Sequence, residues 1–204
     1  MQKEIAIQAS PRTQTGKRST KSVRRDDMVP AVMYGGDEVF HFSVSEAALK
    51  PLVYTSEFRV AEISLDGNTH RAIVKDLQFH PVTEKILHVD FLRFVQDQPI
   101  KLEVPVRFKG SSPGVKVGGK LQQNLRRVKI KVRPKDLVYA VTVDVSHLEL
   151  GQSVRVRDIE PQDGVEVLNQ PATPVASIEI PRALRSAATA AKKEGAAGAA
   201  APAE

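Results

Sequence analysis

Hydrophobic positions in this chain recur mostly with a period of two, the signature of half-buried strands. Residues 4–9 alternate in part and predict a first strand. Val29-Pro30-Ala31-Val32-Met33-Tyr34 is a short apolar strand stopped by Gly35-Gly36, and Val39–Val44 alternates again. Arg59–Leu65 and His70–Leu77 flank Asp66-Gly67-Asn68, a hairpin signal. Lys85–Phe94 alternates throughout. Strict alternation puts Ile86, His88, Asp90 and Leu92 on one face and Leu87, Val89, Phe91 and Arg93 on the other. Helix signals are few. Ser45-Glu46-Ala47-Ala48-Leu49 opens like a capped helix with Ser43 or Ser45 as N-cap, and Pro51 predicts that it is short, kinked, or begins near that residue. Residues 10–30 are polar and basic, with too little apolar periodicity for a packed helix.

A break follows at Val95-Gln96-Asp97-Gln98-Pro99. Beyond it Ile100–Phe108, Val128–Val132, Val138–Val145, Gln152–Val156 and Val175–Ile180 are β-rich and divided by Gly, Pro and Asp, as in a β-sandwich or barrel-like domain. Residues 183–204 hold eleven alanines in twenty-two positions and have almost nothing to bury, so a disordered tail is expected. The predicted fold class is therefore mainly β with a few helices: residues 1–94 as an α+β unit, 95–182 as an all-β C-terminal domain, and 183–204 as an Ala-rich tail.

Charge sharpens this picture. The 204 residues carry a net charge of +6, but residues 1–25 hold seven Lys/Arg against the single acid Glu4, whereas residues 26–94 hold six basic and eleven acidic residues. Concentrated charge can neutralise phosphates in a way that scattered charge cannot. Cysteine is absent, which excludes disulfides and thiolate metal sites. Met1–Ile7 has no apolar stretch of the kind a secretory signal needs, and no apolar run approaches the ~18 residues of a membrane span, so a cytoplasmic location is expected.

The strongest chemical signal is the run from Arg12 to Arg25, which mixes long cations with Ser, Thr and Gly16. Cations serve phosphates, and small hydroxyl residues donate to phosphate or 2′-hydroxyls while letting the backbone come close. Composition alone leaves RNA binding and a solvated charged loop on equal terms. His88 and Asp90 share a strand face, and His80 lies nearby in sequence, which raises a metal-dependent nuclease as a rival reading. No third ligand and no nucleophile motif accompany them, so no enzyme and no cofactor is expected. Gly114 to Leu121 nearly spells a phosphate-binding loop, but Leu121 stands where a hydroxyl would hold magnesium, which leaves a glycine-rich loop between strands. Arg126–Arg133 alternates cation and aliphatic, more a solvated sheet face than an RNA contact.

Taken in order, Arg12…Gly16-Lys17…Arg24, Pro30-Ala31-Val32-Met33-Tyr34-Gly35-Gly36, Val74-Lys75-Asp76-Leu77-Gln78-Phe79-His80-Pro81 and His88-Val89-Asp90-Phe91-Leu92-Arg93 resemble the 5S-rRNA-binding protein family of the bacterial large ribosomal subunit, also called the general stress protein Ctc family. Residues 95–182 resemble the extra β domain of its long members, through Val104-Pro105-Val106, Gly114-Val115-Lys116-Val117-Gly118-Gly119 and Val143-Asp144-Val145-Ser146. The resemblance implies an N-terminal β-barrel with short helices that docks on the loop E region of 5S rRNA and stabilises the central protuberance. It implies RNA contacts by Arg12, Lys17, Thr20, Lys21, Arg24, Tyr34, Lys75, His88 and Asp90, with Lys75 standing where some relatives carry Gln. The expected partners are 5S rRNA and the large subunit, with neighbouring ribosomal proteins possible through residues 95–182, and neither a membrane nor a small-molecule substrate. The alternative is a free stress-response or chaperone-like factor.

Overall fold

A computed structural model describes residues 4–36, 38–95, 97–159 and 164–181. The expected tail, 183–204, lies outside the described residues. In chain order the elements are β1 (Glu4–Pro11), α1 (Lys17–Arg25), β2 (Met28–Tyr34), β3 (Phe40–Ser45), α2 (Glu46–Val53), β4 (Val60–Leu65), β5 (Asn68–Phe79), β6 (Ile86–Arg93), β7 (Ile100–Lys109), α3 (Pro113–Lys116), β8 (Lys120–Gln123), β9 (Arg127–Val132), β10 (Val141–Asp144), β11 (Ser153–Arg155), β12 (Val165–Val167) and β13 (Pro174–Glu179). One-turn 3-10 helices lie at Pro134–Asp136 and Val156–Asp158. The protein is mainly β with a few short helices, as its alternation predicts.

The first six strands close into a barrel in the order β1-β3-β2-β6-β5-β4. The pairs β1–β4 and β2–β6 are parallel and the others antiparallel. Inward residues fill the barrel: Ile7, Val29, Met33, Phe42, Val44, Ile63, Val89 and Phe91 are buried, with Leu49 of α2 among them. The Phe42 and Phe91 rings meet at 5.9 Å near the centre. Closure leaves the barrel without a free sheet edge. The β4–β5 hairpin forms as its sequence predicts. Leu65 pairs with Asn68, and Asp66 and Gly67 both take positive φ, 47° and 83°, as a two-residue type I′ turn demands. In α2 the N-cap position falls to Ser45, although its hydroxyl makes no capping bond, and the helix carries Pro51 inside its eight residues. Ser43 is instead a buried β3 residue whose Oγ donates to the Ser10 carbonyl at 3.4 Å.

Two irregularities in the β5–β6 ladder change which side chains face outward. Gln78 pairs with His88 and Phe79 with Ile86, so Leu87 has no partner on β5. Val74 pairs with Phe91 and Asp76 with Asp90, so Lys75 is the extra residue on the other strand. A bulge of this kind interrupts the two-residue period. Strict alternation therefore misplaces Ile86. It is 3 % exposed and sits in the core, not on the face of His88 and Asp90.

The remaining strands form a four-stranded sheet, β10-β7-β9-β12, and a three-stranded sheet, β11-β13-β8. By packing, the described residues divide into two units. One holds 4–105, 129–140 and 164–167, and the other 106–128, 141–159 and 168–181. The segment read as a glycine-rich loop, Gly114–Leu121, holds most of α3 and the start of β8, neither of which its sequence signals. The alternating segment before Pro134 is a sheet face as expected: Val128, Ile130 and Val132 are buried, while Lys129 pairs with Glu103 and Lys131 with Glu166.

Because Phe91 is fully buried and meets Phe42 ring to ring, Phe91→Ala is expected to lower stability by about 3–5 kcal/mol. Urea unfolding of the full chain checks this; a change below about 1 kcal/mol would contradict a packed barrel centre.

Candidate nucleic-acid interface

The basic run, with too little apolar periodicity for a packed helix, nevertheless forms a helix, α1, and none of its residues is buried. Ser19, Thr20 and Val23 are partly covered, while Lys17, Arg18, Lys21, Ser22, Arg24 and Arg25 are exposed. Nine residues with cations at both ends make a marginal helix by themselves. Arg24 and Arg25 suit the negative C-terminal end of the helix dipole, whereas Lys17 and Arg18 oppose its positive start. Tertiary bonds supply what propensity lacks. Arg24 donates from Nε and Nη2 to the Leu87 carbonyl at 3.1 and 2.9 Å. That carbonyl belongs to the bulged residue of β6, one position before His88. At the other end, Arg12 Nη2 donates to the Gln14 carbonyl at 3.2 Å and to Ser19 Oγ at 3.4 Å. The chain leaves α1 through Asp27 at φ 51°, a left-handed position that Asp tolerates, with Lys85 paired to its carboxylate.

The outward face of the strands beside α1 carries the second group. His88 Nδ1 lies 2.7 Å from Asp90 Oδ1, and both side chains are partly covered. The contact sets the imidazole against the Asp90 carboxylate on one strand face. The β2–β6 register sets Val32 beside Asp90 and Tyr34 beside Leu92. Burial, then the charges of Asp90 and Asp76, raise the Tyr34 pKa above its ordinary 10.0. The phenol therefore keeps its proton and its donor capacity well beyond neutral pH.

Not every expected contact residue is equally available. Tyr34, His88 and Asp90 come together. Lys17 and Lys21 extend from the exposed side of α1. Thr20 Oγ1 is engaged by the Gly16 and Lys17 carbonyls at 3.0 and 3.1 Å, so it retains only acceptor capacity. Arg12 braces the turn into the helix, with its Nε buried and unpartnered. Lys75 Nζ donates to the Lys101 carbonyl at 3.2 Å. Two further residues belong to this face and were missed: Asp76 opposite Asp90, and Gln78 opposite His88. Their signal is the ladder register, since the expected strand His70–Leu77 includes Asp76 but stops short of Gln78 and one strand alone shows neither partner. His80 does not join His88. Its Nδ1 accepts from the Val82 and Thr83 amides at 3.3 and 3.2 Å, and among the described residues no three His, Cys, Asp or Glu side chains are grouped to hold a metal.

Comparison with known proteins places this geometry. Residues 7–91 match the model of the Ribosomal L25p family, and residues 99–182 match that of the ribosomal protein TL5 C-terminal domain. A large ribosomal subunit protein bL25 from Parabacteroides distasonis is 43% identical over 171 residues, covering 84% of this chain and 88% of that one. The bL25 proteins of Bacteroides fragilis and Cytophaga hutchinsonii are 41% and 38% identical over 191 and 192 residues, 94% of this chain and 97% and 100% of theirs. The chain belongs to the ribosomal L25p family. All nine expected contact residues fall inside the part that matches the L25p model.

In this L25p chain the fork of Arg24 on Leu87 is the one side-chain bond recorded from α1 to β6 among the described residues. Arg24→Ala is expected to speed amide hydrogen exchange across residues 17–25 by about tenfold or more, while global stability moves by less than about 1 kcal/mol. Unchanged exchange in that segment would show that the fork does not hold the helix.

Proposed function

We propose that this protein is a structural constituent of the large ribosomal subunit that binds 5S rRNA at its loop E region and steadies the central protuberance. Its relatives carry the name of large ribosomal subunit proteins, and family membership makes it a non-enzymatic ribosomal protein working in the cytoplasm. The observation that carries the RNA reading is the joining of two unlike surfaces: a cationic helix fixed by Arg24 beside a strand face that presents Tyr34, His88, Asp90, Asp76 and Gln78.

The two surfaces suit different parts of an RNA helix. Lys17, Lys21 and their neighbours supply charge to phosphates. The strand face holds two carboxylates directly opposite each other, and carboxylates repel phosphates. They accept from 2′-hydroxyls and from the exocyclic amino group of guanine, both offered in the wide, shallow minor groove of A-form RNA. The protonated phenol of Tyr34 donates, and His88 and Gln78 add further polar contacts. The layout thus favours a pose with backbone under α1 and groove floor under β6, and penalises one with a phosphate over Asp76 and Asp90. Residues 1–94 form the recognition unit in this reading.

The test is a binding titration of the full chain against a 5S rRNA fragment containing loop E and against a plain duplex of equal charge, at two salt concentrations. The fragment should bind well above the duplex, and Tyr34→Ala or His88→Ala should each weaken it by ~1–3 kcal/mol. Equal, strongly salt-dependent binding to both RNAs would reduce the interaction to nonspecific phosphate attraction and refute the proposal.

A further inference from the structure

The barrel unit carries a second concave surface that the loop E reading does not use. An open groove of about 800 Å³ is lined by Arg71, Arg93, Phe94, Asp97, Lys135 and Tyr139, together with their neighbours. Tyr34, His88, Asp90 and every residue of α1 are absent from its lining. Its size lies within the range of small-ligand sites.

The chemistry of the lining is specific. Among the described residues Arg93 makes no side-chain hydrogen bond or ion pair. Lys135 holds Asp97 at 2.9 Å, and Arg71 holds Glu4, but these pairs are exposed and exchange readily for a better anion. Phe94 is fixed by a bond from its amide to the Arg71 carbonyl at 2.9 Å, and the Arg71 guanidinium lies 5.9 Å from its ring centre. The Tyr139 ring rests against Phe58 at 6.0 Å. Three cations against one lining carboxylate, in the same lining as two aromatic rings, match a ligand that is both anionic and planar. Aromatic rings and guanidinium planes stack unpaired bases, and the flanking cations take the phosphates.

We propose that this groove binds a short single-stranded segment of RNA, as a site separate from the face proposed for loop E. The groove opens to solvent and is not an enclosed cavity, which suits a passing strand better than a sequestered mononucleotide. Three cations in one lining also exceed what one phosphate uses.

Fluorescence anisotropy of a labelled eight-nucleotide single-stranded RNA with the full chain at low salt tests this. Unlabelled uridine monophosphate and a loop E duplex fragment serve as competitors. The oligonucleotide should bind, and the R93Q/K135Q double variant should weaken it at least tenfold while affinity for the loop E fragment stays within twofold. Circular dichroism confirms that the variant is folded, and Phe94→Leu, which keeps an apolar side chain, should give an intermediate loss. Absence of oligonucleotide binding, or binding unaffected by both variants, overturns the proposal. Equal competition by uridine monophosphate would make the site one for free nucleotides and overturns the strand reading. Full competition by the loop E fragment would place the oligonucleotide on the other face and also overturns it. Failure of loop E binding alone leaves this site standing, so the two readings fail separately.

Discussion

Arg24 forks onto the carbonyl of Leu87, and the surface of the barrel unit is organised around that bond. It depends on the bulge in β6. A regular ladder would leave Leu87 opposite a β5 residue, and Ile86 would share the outward face of His88. The extra residue returns Ile86 to the core and leaves Leu87 without a β5 partner. One irregularity thus settles the packing at the end of the strand and the anchoring of the helix. The bond adds a tertiary tie to a short helix none of whose residues is fully buried.

The electrostatics follow from the same arrangement. Positive charge is carried by α1, while the neighbouring strand face carries Asp76 and Asp90. A uniformly basic surface would hold any nucleic acid by its phosphates. An acidic strip flanked by a cationic helix favours one orientation, because a wrong placement sets phosphate against carboxylate. His88 Nδ1 lies against one of those carboxylates, at 2.7 Å from Asp90 Oδ1. The raised pKa of Tyr34 belongs to the same economy, since burial and the two nearby carboxylates all oppose a phenolate.

Much of this was legible in the chain. The Asp66-Gly67 turn and the strands β2, β3 and β4 follow from local chemistry, and so does the shared face of His88 and Asp90, two residues apart on one strand. Other features required contacts between distant residues. Helix α1 has no apolar stripe, because its support is a carbonyl 63 residues away. Ile86 was misassigned because periodicity assumes an unbroken ladder, and a bulge is visible only when the partner strand is known. Asp76 and Gln78 join the face through their register with Asp90 and His88. The engagement of Thr20, Arg12 and Lys75 with backbone carbonyls likewise depends on the fold. Those bonds make Arg12 and Lys75 more braces than free contact groups.

The most direct measurement of the central claim is NMR chemical-shift mapping of the full-length, isotope-labelled chain during addition of a loop E RNA fragment. Perturbations are expected to gather on residues 17–25 of α1, on Tyr34, on 76–78 of β5 and on 88–92 of β6. Perturbations centred on unit 106–128, 141–159 and 168–181, with α1 and β6 silent, would contradict it.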